Sequence, residues 1–252
     1  MTSTPLPKVR RLEAAGFRAW PSQQSLYDGA WLYRISPTQD GRRINSVTPL
    51  DPGDDKAVIE RLSKAGGEFE KAGRPLIFRE TPLMPQSVLD VFLADGWSAE
   101  GESYVQICAL NALDLSEAKE QLPYRDVSGW AEQFIAIREQ KPEQARPLAE
   151  AISGIEPDVG LFLTQDEASN PTATVMAVHD RDMVGVFEVA VAQSARRQGL
   201  ARRLVMSALR WAVKRGAKTA WLQVEADNQA ARGLYDSLGF ETAYPYRYWR
   251  AP

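Results

Sequence analysis

The chain has 252 residues, a formal net charge of −3, 44% hydrophobic and 25% charged residues, the proportions of a globular protein long enough for one large or two small domains. This balance argues against a protein built on phosphate neutralisation, so no nucleic-acid partner is expected. A single cysteine, Cys108, and a single histidine, His179, rule out an internal disulfide and argue against a zinc site, so a reducing compartment and no metal are expected.

Residues 1–7 lack the apolar stretch of a signal peptide, and no later run reaches the length of a membrane span. A cytoplasmic protein without a membrane partner is therefore expected. Further on, Trp20, Trp31, Arg34 and the run GRRINSV (residues 41–47) set arginine and asparagine beside aromatics. That set suits either the lining of a substrate pocket between domains or buried aromatics with a solvated hairpin end. A helix carries Val58, Leu62 and Phe69, a strand covers residues 75–79, and VLDVFLADGW reads as a second helix closed by Gly96. Residues 103–110 read as a strand in which Cys108 is a small buried residue. The charged run 116–121 reads as a short helix before Pro123, within a join spanning residues 111–127.

Helical segments near residues 130–138 and 143–152 then precede three strands, at 159–164, 172–178 and 183–192. Apolar Leu204, Val205, Ala208, Leu209, Ala212 and Val213 recur with a helical period that Gly216 closes. TAWLQV (219–224) follows as a strand, 228–238 as a helix, and Gly239-Phe240 as the return to a final strand at 244–249. Tyr244, Tyr246, Tyr248 and Trp249 in that strand suit either a domain contact or a homodimer.

Shifting the first half by 143 positions sets Gly73 on Gly216, Phe78 on Trp221, Gly96 on Gly239 and Trp97 on Phe240 without a gap. Helix, strand and helix in unbroken register argue for a tandem repeat, divided as residues 1–115 and 116–252.

The sharpest chemical feature is VFEVAVAQSARRQGLARRL, a strand ending near Ala192 and a helix beginning near Gly199. A helix N-terminus carries unpaired N–H groups and partial positive charge, so a tight turn entering it can hold a pyrophosphate. Gly199 and Ala201 permit close approach, and Arg197, Arg202 and Arg203 add charged donors.

In Arg196-x-x-Gly199-x-Ala201 the chain resembles the GNAT superfamily of N-acetyltransferases, and the resemblance continues through Leu222-Gln223-Val224, Asn228, Tyr235, Leu238, Gly239 and Phe240. It covers nearly the whole chain as a double-domain form and is specific only in the second half. It implies an α/β fold of tandem GNAT-like domains, each a mixed, mostly antiparallel sheet flanked by helices, with a splayed strand pair holding acetyl-CoA in the C-terminal domain. The cofactor-binding set it implies is Val189 and Val191 through their backbone, Arg196, Arg197, Gln198, Gly199, Leu200, Ala201 and Arg202 at the turn, and Asn228 beside the pantetheine arm. Tyr235 is the expected general acid toward the departing thiolate. Where relatives place a glutamate this chain has Gln223, so Glu188, with Glu225 as the other candidate, is the expected base; strand alternation would set Glu188 on the face opposite Val189.

Under the 143-residue shift Phe92 falls at Tyr235, Pro85 at Asn228, and Gly53, Lys56 and Val58 at Arg196, Gly199 and Ala201. The chemical positions are lost and Asp51, Asp54 and Asp55 would repel a pyrophosphate, so the first copy is expected to be degenerate. The activity implied is acetyl transfer from acetyl-CoA to a small-molecule or peptide amine by direct attack. A non-catalytic acyl-CoA-binding regulator and an enzyme using another acyl-CoA are the alternatives.

Overall fold

Residues 4–252 are described by a computed structural model. In chain order the elements are α1 (Leu6–Ala19), β1 (Gln24–Asp28), β2 (Trp31–Ile35), β3 (Ser46–Pro49), α2 (Val58–Lys71), β4 (Ile77–Glu80), α3 (Gln86–Ala94) and β5 (Ser98–Ala109). They continue with α4 (Val127–Ile137), α5 (Ala145–Ser153), β6 (Asp158–Gln165), β7 (Pro171–Asp180), β8 (Met183–Val191), α6 (Leu200–Val213), β9 (Thr219–Glu225), α7 (Gln229–Ser237) and β10 (Glu241–Arg250). The sheet pairing is mixed: mostly antiparallel, with β3–β4 and β8–β9 parallel.

The described residues pack as two compact units that interleave in sequence: 4–105, 224–227 and 242–252 in one, 106–223 and 228–241 in the other. Two contiguous halves divided at 115 and 116 do not anticipate this interleaving. The reason is a strand pairing that local sequence does not encode. Residues 242–252 carry most of β10, which lies antiparallel on β4, with Trp249 opposite Phe78 and Tyr248 opposite Arg79.

In the first unit the strand order is β1-β2-β3-β4-β10. One face is apolar: Trp31, Tyr33, Val47, Phe78 and Trp249 pack against Val58, Ala65 and Phe69 of α2 and Val88 and Phe92 of α3. Each fully buried aromatic or branched side chain there is worth about 1.5–3 kcal/mol. Trp20 and Trp31 are buried, so the reading of them as core aromatics holds. Arg34 is buried too and donates to the carbonyls of Trp20 and Arg43. Asn45 accepts from the Ser36 N–H at 2.7 Å and donates to the Gln39 carbonyl at 2.8 Å, which closes the loop between β2 and β3. Tyr244, Tyr246, Tyr248 and Trp249 are all buried.

In the second unit the order is β9-β8-β7-β6. Trp211 of α6 meets Phe162 of β6 edge-on at 5.9 Å, and Trp130 of α4 donates its indole N–H to the Phe162 carbonyl at 2.9 Å.

The repeat is visible in the turns. Gly73 (φ 66°) and Gly216 (φ 95°) end α2 and α6 in the left-handed region, where a glycine carries no Cβ penalty. The Gly73 and Gly216 amides donate to Glu70 and Val213, and the next residues, Arg74 and Ala217, donate to Phe69 and Ala212, the paired bonds of a Schellman stop. The ends of α3 and α7 match in the same register, with Trp97 donating to Phe92 and Phe240 to Tyr235. At the start of α2 the register slips by one: the left-handed N-cap is Ala57 (φ 52°), not Lys56, so Ala57 is the structural counterpart of Gly199 (φ 72°).

The run 116–121 is not a helix. Arg210 of α6 takes the carbonyls of Leu115, Ser116 and Ala118, the acceptors a helix there would have used, and Asp114 takes the Ser116 N–H. No helix among the described residues is long and apolar enough to cross a membrane. Among those residues no group of three or more His, Cys, Asp or Glu is placed to hold a metal.

Candidate active site

The site lies in the second unit and begins where two strands part. β8 and β9 pair from Met183–Thr219 to Val186–Leu222 and no further, although both strands continue. The cause is in β8. Its register against β7 jumps, with Met176 opposite Phe187 but Thr174 opposite Ala190, so Glu188 and Val189 together oppose Val175. Glu188 sits at φ 48°. One extra residue in one strand, with its first residue in a turn-like conformation, is a β-bulge, and bulges bend and twist the strand that carries them. The bend takes β8 away from β9. It also interrupts strict side-chain alternation at Glu188–Val189, so the opposite-face placement of Glu188 and Val189 expected from the sequence does not apply there.

Beyond the bulge the alternation of backbone groups resumes. The Ala192 N–H donates to Thr172 across β7 at 2.9 Å, and the Glu188 carbonyl accepts from the Thr174 hydroxyl at 3.2 Å. Residues of even number thus turn their backbone toward β7. By alternation, the N–H and C=O groups of Val189 and Val191 point to the opened edge.

The strand leads directly into the turn at residues 196–199. Arg197 (φ 61°) and Gly199 (φ 72°) are both left-handed, and α6 starts with no side-chain cap. The first N–H groups of Leu200, Ala201 and Arg202 therefore lack intrahelical acceptors and face outward. By contrast, α7 is capped: Asn228 accepts from the Ala231 N–H at 3.1 Å, so its side-chain oxygen is engaged while its NH₂ group remains a donor.

The arginines differ in their commitments. Arg202 donates to the Ser237 carbonyl and hydroxyl at 3.2 and 3.0 Å, which ties α6 to α7. Arg203 donates to the Gln198 carbonyl at 2.8 Å and braces the turn. Arg196 reaches the Val191 carbonyl at 3.5 Å, and Arg196, Arg197 and Gln198 are exposed. A groove of about 610 Å³ adjoins the start of the same loop, lined by Ala192, Gln193 and Ser194 together with Ala136, Ile137, Glu139 and Pro171.

Tyr235 is buried in α7, its ring 5.8 Å from that of Phe240. Burial, with the charge of Glu188 as a second cause, pushes its phenol up to about 12. The two expected catalytic residues are thus close enough to interact electrostatically, and the phenol holds its proton across the neutral range. Gln223 is the first residue of β9 past the last pair with β8; its side-chain oxygen is buried without a hydrogen-bond partner among the described residues. Glu225 is exposed at the end of β9. Burial raises the Cys108 thiol above its ordinary value, with Glu241 adding to the shift, so it stays protonated and inert.

Two residues the sequence reading passed over belong to the same place. Phe187, the first β8 residue past the last β9 pair, meets Trp221 edge-on at 5.2 Å. The only sequence signal for them was an aromatic in each strand.

Comparison with known proteins follows the same lines. The family described as "Probable histone acetyltransferase Rv0428c C-terminal" matches residues 7–249. The chain is 23% identical over 248 residues to the uncharacterized N-acetyltransferase YobR of Bacillus subtilis (strain 168), across 95% of this chain and 97% of that protein. A stretch of 62 residues is 45% identical to the ribosomal protein bS18-alanine N-acetyltransferase of Escherichia coli (strain K12), 25% of this chain and 42% of that enzyme. Among solved structures, a GCN5-related N-acetyltransferase from Kribbella flavida superposes with a TM-score of 0.71 at 17% identity, covering 96% of this chain and 95% of that one. A tandem GNAT protein from the clavulanic acid biosynthesis pathway gives 0.65 at 13% identity, covering 96% and 88%. At such identities the two structures speak to the fold alone.

Proposed function

The chain belongs to the GNAT superfamily of N-acetyltransferases, in the family it matches from residue 7 to residue 249, and on that premise we propose that it transfers an acetyl group from acetyl-CoA to a primary amine by direct attack. The observation that carries the reading is the adjacency, in one unit, of a strand pair that opens after Val186–Leu222 and an uncapped helix N-terminus at Gly199.

The residues fit the co-substrate for stated physical reasons. Uncapped N–H groups of Leu200, Ala201 and Arg202, with the exposed Arg196 and Arg197, suit a pyrophosphate. The outward backbone of Val189 and Val191 suits the amides of an extended arm, as an added strand would. Acetyl-CoA, when bound, supplies an activated thioester. The Val189 N–H then polarises its carbonyl by an oxyanion-type contact. Tyr235, kept neutral by burial, donates its proton to the sulfur as the thiolate departs. Glu188 takes a proton from the amine, directly or through water, since Gln223 has no basic group to offer.

The test is turnover. Acetyl-CoA is incubated with the full chain and a panel of amines comprising small polyamines, lysine-containing peptides and peptides with free N-termini, with free thiol and acetylated product read together. Amine-dependent thiol release with a matching mass gain of one acetyl group is the expected result. Tight binding of acetyl-CoA with no amine-dependent release across the panel would favour a non-catalytic acyl-CoA-binding regulator.

A further inference from the structure

The opened strand pair has a closed end, at the last pair between β8 and β9. The last β8–β9 pair is Val186–Leu222. Just past it on β8 stands Phe187; just before it on β9 stands Trp221, and the two rings meet edge to face at 5.2 Å with an interplanar angle of 86°. Both are buried. Side chains at i and i+2 share a face of a strand, so Gly185 and Phe187 lie on the same face, and Gly185 is also the partner of Trp221 in the pairing.

Gly185 explains how the rings reach each other. Its backbone is not left-handed; the need is space. A Cβ at Gly185 would lie 2.5 Å from Phe187 Cε2 and 2.9 Å from Trp221 Cζ2, below any real contact distance. The two rings thus lie down over the bare backbone of Gly185 and wall off the parting of the strands with rigid aromatic surface. On the other face Val186 and Leu222 are fully packed.

This wall stands at the far end of the opening from the turn at Gly199, because that turn follows the C-terminal end of β8 and the parting lies toward its N-terminal end. A thioester held by its pyrophosphate at the turn, with its arm along Val191 and Val189, brings its acyl end toward the wall. We propose that Gly185, Phe187 and Trp221 form an aromatic stop that restricts the acyl group to a short chain. The proposal rests on the acetyltransferase reading and adds the acyl specificity of the same site. Close-packed walls resist added methylene groups, because the neighbours must leave their rotamers to make room.

The test reads binding alone, by calorimetry on the full chain with coenzyme A, acetyl-CoA and hexanoyl-CoA. Wild type is expected to bind hexanoyl-CoA about tenfold or more weakly than acetyl-CoA, in the range a misfit of methylene groups produces. In Phe187→Leu, and in Phe187→Met as a second, unbranched replacement, that ratio is expected to collapse toward unity while the affinity for coenzyme A stays as in wild type. Thermal melts identify which variant is folded, and the folded one is scored. Equal affinity of wild type for the two thioesters, or an unchanged ratio in a folded Phe187 variant, would overturn the stop. Failure of all three ligands to bind wild type is a different result: it removes the transferase reading, and the stop with it.

Discussion

Replacing Tyr235 with phenylalanine is expected to lower kcat by about 10²–10⁴-fold, the usual contribution of a positioned proton donor, with the KM for acetyl-CoA nearly unchanged. The substitution removes one oxygen from a buried ring and leaves the packing against Phe240 in place. The pH dependence follows from the direction of the shift. Burial and the nearby Glu188 charge favour the neutral phenol, with its proton lost only at about 12. Wild-type turnover should therefore show no loss from ionisation of Tyr235 between neutrality and the ordinary tyrosine range near 10. A variant with near wild-type kcat would show that the leaving thiolate takes its proton from elsewhere, most simply from water.

The second large effect is on stability and lies in the first unit. On the sheet face opposite its apolar core, Glu13 of α1 receives Arg79 of β4 in a two-pronged pair, Nε to Oε2 at 2.8 Å and Nη2 to Oε1 at 2.9 Å. Tyr244 donates to Glu13 at 2.8 Å, Arg79 donates to the Tyr248 hydroxyl at 3.1 Å, and the Arg79 guanidinium lies 3.6 Å from the Tyr246 ring centroid. Both ions are only 2–3% exposed. Burial alone would pull the Arg79 guanidinium down, but the charge of Glu13 outweighs it and holds the group well above its ordinary value. Arg34, a second buried cation, has backbone carbonyls as its acceptors, and burial draws it down to about 10.

Removing the one carboxylate leaves Arg79 buried without its counter-ion. Glu13→Gln is expected to cost about 3–5 kcal/mol in urea unfolding, as breaking one side of a buried pair does. Replacing both partners together, Glu13→Leu with Arg79→Met, should recover most of that loss. A single-variant loss below about 1 kcal/mol, the scale of an exposed pair, would show that water reaches the pair.

The second half was legible in the sequence because its signals are local. Left-handed glycines ending amphipathic helices, the Arg196-x-x-Gly199-x-Ala201 turn, and the strand TAWLQV each announce themselves within a few residues. The register of the repeat was legible for the same reason, since Gly73 with Gly216 and Phe92 with Tyr235 mark helix ends. What was not legible depends on partners far away in sequence. The placement of β10 on β4 is a choice of partner, and nothing in YPYRYW names it. The bulge at Glu188 is a mismatch between β7 and β8 that exists only once they pair.

The run 116–121 failed as a helix because Arg210, from α6, claimed its carbonyls. Glu13 did carry a local signal that was passed over. With Val9, Leu12 and Gly16 it occupies the buried stripe of α1, and a carboxylate at a core position of a helix demands a buried cation.

The measurement that bears most directly on the account is calorimetric titration of the full chain with coenzyme A, in wild type and in Gly199→Asp. Aspartate is among the few residues with a side chain that tolerate the left-handed conformation Gly199 adopts, so the variant is expected to keep α6 while setting a carboxylate at the turn proposed to hold the pyrophosphate. The account predicts saturable binding to wild type and a loss of about tenfold to a hundredfold in the variant, the worth of one or two hydrogen bonds to a charged group. Equal affinity in the two proteins, or no heat with wild type at any concentration of coenzyme A, would contradict it.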